Sequence, residues 1–197
     1  MTKLTVEGAT NLLHKHMQNQ NLRRHCYAVG KVLRAFYDFY KKQGLDTGKL
    51  SADGWEIVGI LHDSDYEITK DDWGRHTILL LEWLKDYDVD GEMLDVFRSH
   101  NSKITNLRQP ETLLEWTLEC CDELTGFIVA VALVMPSKKL EDVTVERVLK
   151  RFKLKEFARA VDRSQIYQCE ERVNVPLEKF VETALEAMQK NSELLGM

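Results

Sequence analysis

Residues that interrupt helices are scarce in this chain, with three prolines and ten glycines among 197 residues. Leu, Glu, Lys and Ala are plentiful instead, so the expected fold class is all-α. Linkers are missing too. No stretch rich in Pro, Gly or Ser, no repeat and no low-complexity tract divides the chain, and its length fits a single domain of ordinary size. The four cysteines (Cys26, Cys120, Cys121, Cys169) show no CxxC spacing and read as reduced, buried thiols of a cytoplasmic protein. There is no excess of positive charge: the net charge is −5, so a nucleic-acid polymer is not expected as a partner. The longest apolar run, Leu124 to Met135, contains Thr125 and Gly126 and is too short to span a bilayer. Met1 to Met17 interleaves Lys3, Glu7 and Lys15 with its apolar residues, unlike a signal peptide. No membrane partner is expected. No GxxxxGK[ST], GxGxxG, HExxH or GxSxG signature occurs.

Helical periodicity runs through most of the chain. Residues 5–18 form a modest first helix, and residues 21–42 carry a stripe of Leu22, His25/Cys26, Val29, Leu33, Phe36 and Tyr40 at helical spacing. Gly44 to Gly54 reads as a surface loop. Residues 55–62 read as a short helix that is apolar all round and therefore buried, with Gly59 marking a close helix contact. After a polar segment, His76 is expected to open a helix on which Leu80, Trp83, Leu84 and Tyr87 share its face. A helix over 91–100 places His100 in line with Leu94 and Phe97. Pro110 is expected to start a long helix to about 135, with a break near Gly126 as an alternative. Asp122 shares a face of that helix with Leu118, Thr125 and Val129. Short helices near 144–151 and 153–160 and a last one from Pro176 to Leu195 complete the chain.

The chemistry centres on Gly59-Ile-Leu-His-Asp-Ser-Asp-Tyr66, where an apolar run ends in adjacent His62 and Asp63. An uncompensated carboxylate there would cost several kcal/mol, so Asp63 calls for a cation. Four of the chain's six histidines (His25, His62, His76, His100) and two aspartates (Asp63, Asp122) fall at or beside inward-facing helical positions. Each alone has a bland structural explanation, as a core histidine, a helix-end charge or a paired acid. Their coincidence does not, because burying all six without a metal leaves too many polar groups to satisfy.

The order His25, His62-Asp63, Asp122 in a helical chain resembles the HD-domain superfamily of metal-dependent phosphohydrolases. The neighbourhoods Leu22-Arg-Arg-His-Cys-Tyr-Ala-Val, Gly59-Ile-Leu-His-Asp-Ser-Asp-Tyr-Glu and Cys121-Asp-Glu-Leu-Thr-Gly carry the likeness over about residues 21–140, with 141–197 as a helical extension. The turn Met135-Pro-Ser-Lys-Lys is similar to that of short stand-alone members, and His76 and His100 match the extra histidines of the branch that holds two metals. The resemblance implies one metal on His25, His62, Asp63 and Asp122, and a second on His76, His100 and a bridging Asp63. A mixed His/carboxylate set with open positions suits Fe or Mn, with Co, Ni or Zn also able to bind. The implied activity is hydrolysis of a small phosphorylated metabolite, a nucleotide first among the candidates, by metal-bound water. Asp63 and Asp65 are the catalytic candidates; Arg24, Arg75, Lys103 and Lys138 are candidates for binding substrate phosphate. Tyr66 and Trp73 are positioned to stack, to pack or to form a lid. The alternative is a non-catalytic HD-type module that binds a nucleotide and signals.

Overall fold

A computed structural model describes residues 1–197 and is all-helical. The first half runs α1 (Val6–His16), α2 (Gln20–Lys42), α3 (Ala52–Leu61), α4 (Tyr66–Thr69), α5 (Ile78–Trp83), α6 (Gly91–His100) and α7 (Ser102–Thr105). The second half runs α8 (Leu113–Leu133), α9 (Val145–Phe152), α10 (Arg163–Glu171), α11 (Leu177–Lys190) and α12 (Ser192–Leu195). Two-residue strands, β1 (Thr2–Lys3) and β2 (Tyr87–Asp88), pair in parallel and tie the N-terminus down. The buried apolar side chains form one contiguous cluster drawn from both halves. No helix is long and apolar enough to cross a membrane.

The core is organised by α2 and α3. On α2 the stripe Cys26, Val29, Leu33, Phe36 and Tyr40 is fully buried, as a 3.6-residue period requires. Helix α3 is capped by Ser51, whose side chain accepts from Gly54 N. Every residue of α3 from Gly54 to Leu61 is buried. Its one buried charge, Glu56, is answered from α2 by Lys31 at 2.6 Å and Arg34 at 2.8 Å. The two helices cross glycine on glycine. A Cβ on Gly59 would lie 2.5 Å from Gly30 Cα and N, so the backbones are in contact. His25 lies just before this crossing on α2, and His62 and Asp63 just after it, where α3 ends.

Helix α8 starts at Leu113, not at Pro110, because Thr112 and Glu115 form a capping box. The Glu115 carboxylate accepts from Thr112 N (2.6 Å), Glu111 N (2.8 Å) and Arg108 Nε (2.8 Å). The helix then runs unbroken through Gly126. Burial alone would push the Glu115 carboxyl up, but the Arg108 guanidinium and the backbone donors outweigh it and hold it below the usual range. A lowered folded pKa contributes stability above the unfolded value, near 4.3, that is lost as pH falls through the folded one. Glu115→Gln is therefore expected to cost roughly 1–2 kcal/mol at neutral pH. In urea melts the gap from wild type should close below about pH 4; a gap that stays constant down to pH 3 would contradict this role.

Three further expectations are corrected. His76 does not open a helix: it follows a 3-10 turn (Trp73–Arg75) in extended conformation, and α5 begins only at Ile78, after Thr77 at φ 70°. Residues 153–160 are turns, because the Arg163 guanidinium donates to the carbonyls of Leu154, Phe157, Ala158 and Val161. Asp162 then caps α10, a helix the periodicity did not reveal, by accepting from Ser164 N and Gln165 N. The last helix ends at Lys190, and α12 returns against α2.

Candidate metal centre

Five separate places in the fold deliver donors to one spot: α2 (His25), the end of α3 (His62, Asp63), the extended residue His76, the last residue of α6 (His100) and the middle of α8 (Asp122). They fall into two groups, in each of which the donor atoms lie within 4.8 Å of one another: His25, His62, Asp63 and Asp122; and Asp63, His76 and His100. Asp63 belongs to both. Its Oδ2 lies 3.8 Å from His25 Nε2 and 3.7 Å from His62 Nε2, while its Oδ1 lies 3.3 Å from His76 Nε2 and 3.5 Å from His100 Nε2. Asp122 Oδ1 completes the first group, 2.8 Å from His25 Nε2 and 3.5 Å from His62 Nε2.

Three imidazoles are held so that Nε2 faces inward. His62 Nδ1 donates to the Gly59 carbonyl at 2.7 Å, His76 Nδ1 to Asp65 Oδ1 at 2.7 Å, and His100 Nδ1 to Glu119 Oε1 at 2.8 Å. An acceptor behind each ring fixes tautomer and orientation, an arrangement typical of metal-ligating histidine. His25 Nδ1 lies 3.4 Å from Thr125 Oγ1. His62 Nε2 is fully buried and has no hydrogen-bond partner. An orphaned nitrogen at the centre of carboxylates and aligned imidazoles fits a cation, and the residues present suit divalent transition metals.

The electrostatics agree. Burial should raise both carboxyls, yet neighbouring histidines hold Asp63 and Asp122 well below the usual range. Burial likewise disfavours charge on the imidazoles, but Asp63 with Asp65 raises His76 to about 8, and Asp63 with Glu119 raises His100 well above its ordinary value. Asp122 and then Asp63 raise His25. The carboxylate pair creates a strong demand for positive charge.

A mouth of about 230 Å³ opens over Asp63, His76, His100 and Asp122. Tyr66 and Trp73 form one wall: their rings meet edge to face at 5.4 Å, and both stand edge-on to His76. Asn101 pins this wall by donating to the carbonyls of Trp73 and His76. Of the proposed substrate cations, Lys103 lies at the mouth, 74% exposed, with Nζ 2.8 Å from Gln165 Oε1. Arg24 lies beside His25 along a neighbouring cavity. Arg75 and Lys138 are exposed and reach neither; Lys138 follows the far end of α8, several turns beyond Asp122.

Asp65 is corrected from catalytic candidate to positioning residue. It is fully buried, with Oδ1 on His76 Nδ1 and Oδ2 accepting from Leu80 N at 3.0 Å, so neither oxygen is free for substrate. Asp65→Asn would put an amide donor against one of these two N–H groups. Affinity at the His76/His100 group is expected to fall about 10–100-fold, with the other group little affected, as read by chelator competition. Two unchanged metal-binding steps would contradict this role.

Sequence reasoning missed Glu119, Gln165 and Glu123. Glu119 lies one helical turn before Asp122, a spacing that marks the same face, but a glutamate on a long helix reads as solvated. It accepts from His100 on Oε1 and from Gln165 Nε2 on Oε2. Glu123, next to Asp122 on α8, lines the mouth and accepts from Asp162 N at 3.0 Å. The thiols take no part: all four cysteines are buried, and burial pushes Cys120 and Cys121 far above the usual thiol range. No family model, curated protein or solved structure matches this chain.

Proposed function

We propose that this protein is an HD-type metal-dependent phosphohydrolase acting on a small phosphorylated metabolite, nucleotides among the candidates. The observation that carries the reading is Asp63, whose two carboxylate oxygens face two separate histidine groups beside the orphaned His62 Nε2. His25, His62, Asp63 and Asp122 would hold one divalent transition metal and Asp63, His76 and His100 a second, with Fe or Mn the best suited and Co, Ni or Zn able to substitute. Bound there, the pair supplies Lewis-acid activation of water and charge neutralisation at phosphorus.

The chain's own residues do the rest. Glu119, Asp65 and the Gly59 carbonyl hold the imidazoles in place before substrate arrives, so little reorganisation remains for the reacting state. Lys103, steadied by Gln165, places a cation at the mouth for a phosphoryl oxygen. Trp73 and Tyr66 wall the mouth on the His76 side. No side chain has to become covalently attached to substrate.

The test is elemental analysis of tag-free protein together with phosphate release from a panel of phosphate esters. Wild type is expected to carry about two transition metals per chain and His100→Ala about one, with metal-dependent release by wild type. Absence of metal after reconstitution with Fe, Mn, Co and Ni would reject the reading. Metal and nucleotide binding without hydrolysis of any ester would instead identify a signalling module.

A further inference from the structure

A second and larger cavity, of about 430 Å³, shares His25 with the donor cluster and no residue with the mouth. Thr125 also lines it, with its hydroxyl 3.4 Å from His25 Nδ1. Its walls are aliphatic: Ala28 from α2, Val129 and Leu133 from α8, and Leu195 from α12. Leu133 is 54% exposed, an apolar surface left to water. None of the side chains lining the cavity is a carboxylate, and the one permanently charged side chain is Arg24, whose guanidinium packs over Gly196 and makes no ion pair with an acidic side chain.

We infer that this cavity holds the organic part of the substrate, and that the substrate is a phosphate monoester of a predominantly apolar group whose anionic head lies between Arg24 and the donor cluster. The inference rests on the phosphohydrolase reading and narrows it. A cavity of this size is in the range that encloses small organic molecules. Its aliphatic walls reward buried methylenes, each worth about threefold to fourfold in affinity. Apart from His25 and Arg24, only Asn21 and Thr125 offer polar side chains. That is too few to satisfy the hydroxyls of a sugar or the edges of a base, and each group left unpaired weakens binding. The reaction is hydrolysis: a water oxygen bonds to phosphorus, the ester P–O bond breaks, the alcohol leaves with one proton of that water, and inorganic phosphate keeps the other.

The experiment uses the full chain loaded with manganese. Phosphate release is measured from ethyl, butyl and hexyl phosphate and from a nucleoside monophosphate, and calorimetry measures binding of methylphosphonate and hexylphosphonate, which are not hydrolysed. The expected result is kcat/KM rising about threefold per added methylene, through KM, with hexyl phosphate preferred to the nucleotide. Gly126→Leu supplies a blocked cavity: Gly126 lines it on α8, and an added Cβ there meets nothing within 4 Å. This variant should keep the wild-type metal content and lose the chain-length dependence. Arg24→Gln should weaken both phosphonates about tenfold. A flat or falling series, a preference for the nucleotide, or an unchanged series in Gly126→Leu would overturn the inference while leaving a hydrolase. If no ester is hydrolysed, the hydrolase reading fails and the phosphonates judge the cavity. Hexylphosphonate binding more than tenfold tighter than methylphosphonate, with the difference lost in Gly126→Leu, supports an apolar-tail site; equal binding overturns it.

Discussion

Asp63→Ala is expected to strip both metal positions at once and to reduce phosphate-ester hydrolysis at least a thousandfold, about 4 kcal/mol of transition-state stabilisation. The reason is geometric. No other side chain serves both groups, and removing Asp63 leaves only His76 and His100 on one side and three donors on the other. The fold should survive, because Asp63 is only partly buried and its contacts are to the other donors rather than to the hydrophobic core. Elemental analysis, circular dichroism and turnover of the same preparation decide it. A variant that keeps two metals per chain, or that turns over at the wild-type rate, would remove the basis for a binuclear hydrolase. A variant that loses its helical signal would show Asp63 to be structural.

Gly59→Ala is expected to be the most damaging single-methyl change in the protein, costing about 3 kcal/mol or more. The added Cβ would lie 2.5 Å from Gly30 Cα and N and 2.7 Å from Val29 C. These are backbone atoms inside a helix and cannot rotate away, so α2 and α3 must separate. With about 2–4 °C lost per kcal/mol in a chain of this size, the melting temperature should fall by roughly 10 °C. The separation also moves His25 from His62 and Asp63, so metal at the first group should weaken even at temperatures where the protein is folded. Gly126→Ala is the control: it meets nothing within 4 Å and should be neutral or stabilise by up to about 1 kcal/mol. If the two alanine variants melt together, α2 and α3 do not cross as closely as described.

The helical class and the long elements were legible because their signals are local. The α2 stripe repeats at helical spacing for about five turns from Leu22 to Tyr40, and α3 is apolar over most of its surface, so burial and helix follow from spacing alone. Most of the donor grouping was legible for the same reason: His25, His62 and Asp122 interrupt otherwise apolar helical patterns, and Asp63 adjoins one. What escaped depends on contacts between distant residues. Thr77 takes a left-handed φ of 70°, a strained choice for a β-branched residue, and detaches His76 from the helix it was expected to start. Asp65 looked available because a carboxylate beside a loop usually is; only the arrival of His76 and of Leu80 N shows it to be fully engaged. Arg163 draws in carbonyls from a segment that reads as helix-forming. The apolar cavity beside His25 exists because α12 returns to α2 from the other end of the chain, and no window along the sequence contains both walls.

The scattered origin of the donors has a consequence for folding as well as for chemistry. His25, the His62–Asp63 pair, His76, His100 and Asp122 arrive from five segments separated by long stretches of chain. No short peptide of this sequence can chelate as the whole does, and an unfolded chain would have to close several large loops to gather the same donors. A cation seated there is thus a reversible cross-link that recognises only the native topology. It stabilises that topology by about 2.7 kcal/mol when free metal stands at a hundred times its dissociation constant. On the metal-binding reading proposed above, chelation is expected to lower the melting temperature and any metal-dependent turnover together.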